Sequence, residues 1–494
     1  MSLSALSLSV ALSLGFSSSA FADDIKVYFN APVNAPATQD NLEQRMIDLI
    51  DSATYTLDMA YYDLDLPGVA QAMVNAKNRG VKVRFITDND NVGGENTEAH
   101  TILTNGGVLW MDDTSDGSAG SGLQHQKLTV VDGRYVSTGS TNLTQSGVHG
   151  DLNAEGQLIS DGNDNHIVII DSVELADQVK QQMDYMWGDG PGGELDSMFG
   201  LSKPDHHLTT VYTTNDNIRI DVQFTPQSKS NYAGSGIETI ANYVATANNS
   251  VDFAQFVISS QDIVDALQPR SDNGVVVRGI GDSSFFYRYY SEFQDMLGNV
   301  ILKADGTEEI DSFTGAPNNA WSNPVDVRVA ELTGGDKWHH KYIRVDDSVL
   351  TGSHNASGAA SFTNDENIVI IYDPATALEF EAHFSTSYCF AGGGDESTCL
   401  DNVTPPQTEP SPGTESGTWE GVYFTGAEVD SVLDIVNNAS RDQLDDAVEL
   451  DSRAARNISK EKNITSMDEL AAIGFVGQSA MSKLRDYVPT WNAL

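Results

Sequence analysis

Two runs of polar residues in this 494-residue chain carry the same side-chain types in the same order. The first run consists of His125, Lys127, Asp132, Ser140 and Asn142. The second run repeats it with His339, Lys341, Asp346, Ser353 and Asn355. A single run of this kind arises easily by chance, whereas two at nearly the same spacing indicate a duplicated half-site.

Each run contains segments in which side chains alternate between the two faces of a strand, so we predict that its polar side chains share one face of a hairpin. LTVVD and RYVSTGS (128–132 and 134–140) are β-branched strands joined by a turn at Asp132-Gly133. His125 and Lys127 then point the same way, because residues two apart share a face. An imidazole, an ammonium, a hydroxyl and an amide that converge on one spot suit a phosphorus oxyanion. Two such half-sites supply one histidine to attack and one to protonate the leaving oxygen.

A carboxylate follows each run in a strand context. Glu155 leads into GQLI, and Glu366 leads into NIVIIYD. A carboxylate beside a histidine fixes its tautomer and raises its basicity. We therefore predict that Glu155 and Glu366 orient His125 and His339, against the alternative that both are solvent residues at strand ends.

The elements around the two runs are repeated as well. Residues 40–90 predict helix, strand, helix and strand, and residues 236–284 predict the same order. This alternation is typical of an α/β fold with a largely parallel or mixed sheet covered on its faces. We expect two pseudo-twofold-related halves, residues 23–205 and 206–399.

Acidic residues dominate the composition, with 71 Asp and Glu against 27 Lys and Arg and a net charge of −44. Such a surface repels polyanions and anionic membranes at long range. It is also typical of proteins that work in high salt, where screening shortens the repulsion. The acidity therefore indicates the environment more directly than the substrate.

The N-terminus and the two cysteines both indicate export. Residues 1–22 are apolar and end in Ala20-Phe21-Ala22, which fits a cleavable signal peptide although no Lys or Arg precedes the apolar region. No later run reaches the ~18 apolar residues of a membrane-spanning helix. Cys389 and Cys399 are predicted to pair in an oxidising compartment. We expect a secreted or periplasmic protein.

The two motifs resemble the signature of the phospholipase D superfamily, HxK(x4)D(x6)GSxN, over roughly residues 24–392. The first copy matches it fully. The second has one residue fewer between Asp346 and Gly352, which predicts a tighter hairpin.

The resemblance implies a role for each motif residue. His125 would form a phosphohistidine and His339 would protonate the leaving group and then activate water, although the sequence does not decide which histidine attacks. The phosphate oxygens would be held by Lys127, Lys341, Asn142 and Asn355, with hydroxyl hydrogen bonds from Ser140 and Ser353. Asp132 and Asp346 would be structural turn residues. The chemistry would need no metal or cofactor, in keeping with the lack of a compact set of metal ligands in the sequence.

The C-terminal residues resemble a separate module. Residues 400–418 are rich in Pro, Thr, Ser and Glu and are predicted to be a linker. Residues 419–494 resemble a small all-α helix-hairpin-helix domain, in which Gly474, Gly477 and Lys483 would hold a DNA phosphate without reading sequence. Residues 418–494 contain 13 acidic and 7 basic residues, so a structural or protein-docking role is an equal alternative.

The sequence favours an enzyme, a phosphodiesterase of the phospholipase D type that hydrolyses phospholipid headgroups. The alternative is a secreted, metal-free, sequence-independent nuclease that holds DNA through the C-terminal module. A third interpretation is a non-catalytic binding protein, which the complete motifs disfavour. A monomer is expected. Headgroup or base preference stays open.

Overall fold

The computed structural model describes residues 24–30, 41–115, 118, 120–153, 155–330, 332–394, 398–399, 417–419, 422–424, 426–439, 441, 443–448, 450–461, 464 and 466–491. Met1–Val403 forms one compact unit, and Thr404–Leu494 forms a second. The predicted signal peptide, residues 1–22, lies outside the described residues, as does the predicted linker up to residue 416.

The first half of the larger unit is built on one seven-stranded sheet. Its strands are β1 (Ile25–Phe29), β2 (Thr56–Tyr61), β3 (Lys82–Thr87), β4 (Leu109–Asp112), β5 (Lys127–Val131), β6 (Tyr135–Gly139) and β7 (His166–Asp171). Its helices are α1 (Leu42–Asp51), α2 (Pro67–Arg79), α3 (Thr97–Gly106), α4 (Gln145–Val148) and α5 (Val173–Trp187). The strand order is β1-β7-β6-β5-β2-β3-β4, with β2, β3 and β4 parallel and the other neighbours antiparallel.

The second half repeats this arrangement in an eight-stranded sheet. Its strands are β8 (Thr209–Tyr212), β9 (Arg219–Thr225), β10 (Ser250–Gln255), β11 (Val276–Gly281), β12 (Asp326–Val329), β13 (Lys341–Val345), β14 (Ser348–Gly352) and β15 (Glu366–Ile371). Its helices are α6 (Gly236–Val244), α7 (Gln261–Asp272), α8 (Ser283–Phe286), α9 (Glu292–Met296), α10 (Gly358–Phe362) and α11 (Pro374–Ala391). The order β12-β11-β10-β13-β14-β15-β9-β8 repeats that of the first sheet, with β8 added at the edge. The predicted fold of two related α/β halves is confirmed.

Local chemistry sets the helix boundaries. Pro67 starts α2, where a missing N–H costs no hydrogen bond, and Gly80 ends it with a left-handed φ of 101°. Ser172 caps α5 by accepting a hydrogen bond from the Leu175 N–H. These signals can be read from the sequence without any knowledge of the tertiary fold.

The two halves share one apolar core. It combines residues of both sheets with the inner faces of α5 and α11, where Met183 and Phe380 are fully buried. Separate outer cores lie between each sheet and its own remaining helices, around α1–α3 in the first half and α6–α7 in the second. Because a common core joins the sheets, the two half-sites are held in fixed relation to each other.

The motif aspartates stabilise the hairpin turns. Asp132, with a φ of 53°, accepts hydrogen bonds from three successive N–H groups, those of Thr54 (2.9 Å), Tyr55 (2.6 Å) and Thr56 (2.8 Å). Asp346 does the same for residues 248–250, at distances of 2.8 to 2.9 Å. Each carboxylate therefore ties the hairpin to the start of the neighbouring strand, β2 or β10.

We expect Asp132→Ala to destabilise the protein without impairing its chemistry. Three backbone N–H groups lose their acceptor, which should lower the free energy of unfolding by about 1–3 kcal/mol, measured by urea denaturation. Asp132→Asn keeps one acceptor oxygen and should lose less. A large fall in kcat of fully folded Asp132→Ala protein would instead show that Asp132 takes part in the reaction.

The smaller unit combines helices with a small sheet, so the prediction of an all-α module is wrong for the described residues. β16 (Gly417–Trp419) pairs antiparallel with β17 (Val422–Phe424) and begins inside the predicted linker. The helices are α12 (Gly426–Asn438), α13 (Ser452–Ile458), α14 (Met467–Ala471) and α15 (Gln478–Trp491), with a π-helical turn at Gln443–Ala447. Apolar side chains from all of these helices form one core.

The structure joins Cys389, near the end of α11, to Cys399, with Cα atoms 5.4 Å apart. In the part of the chain that the structure describes, no helix has both the length and the apolar character needed to span a bilayer.

Candidate active site

The two half-sites meet where short extended segments of one half pair with strand starts of the other. The N–H of His125 donates to the backbone oxygen of Asp365 (2.9 Å), directly before β15. The N–H of His339 donates to the backbone oxygen of Asp164 (2.9 Å), just before β7. Each histidine is thus placed by the opposite half, and neither half-site is complete alone.

His125 is held by a carboxylate across this boundary. Its Nδ1 lies 2.8 Å from Oε2 of Glu366, whose side chain is fully buried. The Asn364 amide donates to the other oxygen of Glu366 (3.2 Å), which fixes the carboxylate. Since the carboxylate accepts a hydrogen bond from Nδ1–H, the free electron pair of the His125 ring lies on Nε2, which is the reactive nitrogen.

His339 is held by an amide instead. Its Nδ1 lies 2.9 Å from Oδ1 of Asn165. The Ser140 hydroxyl also donates to this oxygen (2.9 Å), and the Asn165 amide donates to the Gly147 carbonyl (2.9 Å). These contacts fix which amide atom faces the ring, so Nδ1 of His339 carries the proton and Nε2 faces away from Asn165.

The prediction that Glu155 and Glu366 orient the histidines is half wrong. Glu366 does orient a histidine, but it is His125 of the opposite half. Glu155 lies in an exposed turn, and Asn165, the residue before β7, occupies the position that matches Glu366. The loop after Asn142 is longer than its counterpart after Asn355, so the apparent match of Glu155 to Glu366 was misaligned.

The two lysines are buried between backbone and aromatic rings. Lys127 is 1% exposed and donates to the His125 carbonyl (2.6 Å), and Lys341 is fully buried and donates to the His339 carbonyl (2.9 Å). Burial lowers the pKa of Lys127 to about 7, and the pKa of Lys341 is lowered well below its usual value by burial and by the charge of Lys127. A bound anion would therefore stabilise the site, because its negative charge favours the charged form of both lysines.

The histidines are kept neutral in the free protein. Burial, together with the charges of Lys127 and Lys341, lowers the pKa of both His125 and His339 well below the usual 6.5. Burial raises the pKa of Glu366, and Lys127 opposes that rise. A neutral imidazole has the free electron pair that a nucleophile needs.

The serines and asparagines of the two motifs occupy different layers of the site. Ser140 and Ser353 are fully buried, and their hydroxyls accept from the backbone N–H groups of His166 and Asn367, both at 3.0 Å. They support the orienting residues rather than facing a phosphate. By contrast, Oδ1 of Asn142 and of Asn355 is buried and accepts no hydrogen bond from any described residue.

Two aromatic residues at matched positions lie beside the motif histidines and lysines, and they were not among the site residues predicted from the sequence. The ring of Tyr62 lies 5.1 Å from that of His125 and 5.2 Å from the Lys127 ammonium. Phe256 repeats these contacts with His339 (4.9 Å) and Lys341 (5.2 Å). Each directly follows its strand, β2 or β10, so the internal repeat was a signal that could have found them.

The structure also assembles possible metal ligands that the sequence did not show together. Within the described residues, Asp164, His340 and His383 place one ligand atom each within 4.8 Å of one another. They come from three segments that are far apart in sequence. The motif histidines His125 and His339 are not among them.

The predicted DNA contact lies in the smaller unit. Gly474 and Gly477 flank the bend between α14 and α15, where exposed Phe475 has a positive φ of 75°. Asn457 donates to the Gly474 carbonyl (2.9 Å), which ties the bend to α13. Lys483 is half-buried on α15.

A family model matches both halves of this chain, and curated relatives match shorter stretches of it. The family model described as cardiolipin synthase, PLD-like domain, matches residues 46–187 and 240–388. The mitochondrial cardiolipin hydrolase of Xenopus tropicalis is 32% identical over 122 residues, 25% of this chain and 54% of that protein. A phospholipase D of Rickettsia felis is 26% identical over 132 residues, 27% of this chain and 57% of that protein.

The crystal structure of Nuc, a phospholipase D family member from Salmonella typhimurium, is similar at 24% identity, with a TM-score of 0.27, over 34% of this chain and 97% of that chain. The chain spans little more than half the length of the two curated relatives. The family model, by contrast, covers more than half of this chain, once around each half-site. The chain therefore belongs to the phospholipase D-like family.

Proposed function

We propose that this protein is a phosphodiesterase of the phospholipase D type that works through a covalent phosphohistidine. The observation that carries the proposal is the crossed pair of buried histidines, His125 on Glu366 and His339 on Asn165, beside two buried lysines. This set supplies a nucleophile, an acid and a cationic cradle for one phosphodiester.

In the first step, Nε2 of His125 attacks phosphorus and the bond to the leaving alcohol breaks. His339, protonated once the anionic substrate is bound, gives its Nε2 proton to the leaving oxygen. Lys127 and Lys341 stabilise the non-bridging oxygens, and the Asn142 and Asn355 amides donate to them. The products are the free alcohol and a phosphoryl group on His125.

In the second step, His339 is neutral and accepts a proton from water. The oxygen of that water attacks phosphorus, and the bond to Nε2 of His125 breaks. A phosphomonoester is released, and both histidines return to their starting protonation. No step needs another reactant.

The unequal partners of the two histidines support this assignment of roles. The Glu366 carboxylate stabilises positive charge on His125, which develops when Nε2 bonds to phosphorus. The neutral Asn165 amide gives no such stabilisation, so protonated His339 is the stronger acid. The pair is therefore tuned for attack by His125 and protonation by His339.

A phospholipid headgroup is the favoured substrate. The relatives' names, cardiolipin hydrolase and phospholipase D, support a lipid phosphodiester. A zwitterionic headgroup also tolerates a protein with a net charge of −44 better than a polyanion does. Export to the periplasm or medium remains our proposal, supported by the leader-like residues 1–22 and by the disulfide.

Nucleic acid is the second candidate, favoured by the bend at residues 474–477 that opens α15. Backbone N–H groups at such a helix start can hold a phosphate.

One assay separates the lipid substrate from the nucleic acid: full-length protein receives phosphatidylcholine vesicles or plasmid DNA at several salt concentrations, without added metal. Headgroup release without nicking supports the lipid, and nicking that disappears on deletion of residues 417–494 supports the nuclease. An absolute need for added divalent metal contradicts the proposed mechanism.

We expect kcat/KM to fall as pH rises through about 7, because kcat/KM reports the pKa values of the free enzyme. Lys127, with its pKa lowered to about 7, is charged below that pH and loses its charge above it. On the acid side, His125 stays neutral well below pH 6.5, so its Nε2 remains available for attack and activity should persist there. A pH–rate profile with saturating and limiting substrate measures this. A profile that rises steadily from about pH 6 to about pH 9 contradicts it.

A further inference from the structure

A second group of titratable side chains lies next to the active site but takes no part in the proposed reaction. Asp164 is 2% exposed, His340 is fully buried and His383 is 7% exposed. Nε2 of His340 lies 2.9 Å from Oδ1 of Asp164, and Nε2 of His383 lies 3.5 Å from the same oxygen. Three potential ligands therefore converge from the segment before β7, the residue before β13, and α11.

The opposite nitrogen of each histidine is held in place. Nδ1 of His383 lies 3.0 Å from the Tyr342 hydroxyl, and Nδ1 of His340 lies 2.9 Å from Nδ1 of His166. His166 is fixed in turn by Thr351, whose hydroxyl lies 2.6 Å from its Nε2. Outer hydrogen bonds of this kind are what orient histidine ligands toward metal ions.

Polar atoms at the centre of this group lack partners. Among the described residues, neither Oδ2 of Asp164 nor Nε2 of His383 has a hydrogen-bond partner, and both atoms are buried. The ion pairs of Asp164 with described residues involve only the two histidines, not Lys or Arg. A bound cation would stabilise a buried carboxylate in such surroundings.

We propose that Asp164, His340 and His383 bind one Zn²⁺. Two nitrogens and one carboxylate oxygen are ligands that zinc accepts readily, whereas Mg²⁺ and Ca²⁺ prefer oxygen alone. Zinc bonds of ~2.0 Å at tetrahedral angles separate ligand atoms by about 3.3 Å. The observed separations of 2.9 and 3.5 Å lie on either side of that value.

The ion would hold the crossed segments together rather than take part in the reaction. Asp164 precedes Asn165, and His340 follows His339, so the ligands flank both members of that hydrogen-bonded pair. Neighbours in an extended segment point to opposite sides, which directs His340 away from the phosphate site that His339 faces. Zinc at this position would fix His339 through the backbone.

The test is metal analysis of the full-length protein, purified without a histidine tag and measured by inductively coupled plasma mass spectrometry. We expect about one Zn²⁺ per chain. After removal of metal with a strong chelator, Tm should fall, and one equivalent of ZnCl2 but not MgCl2 should restore it. Metal content and Tm do not depend on activity, so they test the zinc site separately from the proposed reaction.

Variants separate this site from zinc bound elsewhere. His383→Ala should lose the metal, and Tyr342→Phe, which keeps all three ligands, should bind it about 10–100-fold more weakly. His100→Ala is the matched control, because His100 is another buried histidine, stacked on Trp110. If His383→Ala does not fold, the zinc content and zinc affinity of the wild-type protein and of Tyr342→Phe test the proposal. Wild-type protein that neither contains nor takes up Zn²⁺, or zinc content equal in every variant, overturns the proposal.

Discussion

Replacing either motif histidine with alanine should lower kcat for phosphatidylcholine by about 10⁴-fold, because neither half-site can supply both functions. The two variants should differ when the leaving group needs no proton. With phosphatidyl-p-nitrophenol, His339→Ala should release one burst of p-nitrophenolate per chain and then stall, since the acid is not needed but the base for water is. His125→Ala should show no burst.

Stopped-flow absorbance measures the burst, and circular dichroism confirms that both variants are folded. A burst in His125→Ala but not in His339→Ala would reverse the roles of the two histidines. Full activity of either variant would rule out the two-histidine mechanism.

Glu366→Gln should lower kcat by about 10³-fold, the largest effect that we expect for a residue outside contact with the substrate. The carboxylate fixes the proton on Nδ1 of His125 and stabilises the positive charge that develops there. An amide in its place can present N–H to the ring and favour the wrong tautomer. KM should change little, because Glu366 is fully buried.

Two further variants serve as comparisons for Glu366→Gln. Glu155→Gln changes the same side chain in an exposed turn and should leave kcat unchanged. Asn165→Asp should slow turnover by roughly 10-fold, because a carboxylate beside His339 raises its pKa and weakens it as an acid. Equal losses in Glu366→Gln and Glu155→Gln would show that the carboxylate on His125 does not matter.

Much of the fold could be predicted because its determinants are local and occur twice. Strand alternation, Pro67 and Gly80 at the ends of α2, and the turn at Asp132 are short-range signals. Their repetition predicted two related α/β halves, and both the structure and the family match confirm them. The motif spacing alone placed His125 and Lys127 on one face.

The contacts between the halves could not be predicted in the same way. The sequence points to Glu155, because the longer loop after Asn142 hides the true equivalent of Glu366 and because that equivalent, Asn165, is an amide. The ligands Asp164, His340 and His383 converge only after the two sheets pack on α11. The strand at Gly417 begins in a stretch whose Pro, Thr, Ser and Glu content predicts a linker.

In the proposed mechanism, His125 carries the phosphoryl group and His339 transfers the protons. The most direct measurement is mass spectrometry of His339→Ala protein mixed with phosphatidyl-p-nitrophenol and quenched in alkaline denaturant, which preserves the phosphorus–nitrogen bond. We expect one phosphatidyl group on the peptide that contains His125. Release of p-nitrophenolate without that adduct, or an adduct on His339 in His125→Ala protein, would contradict it.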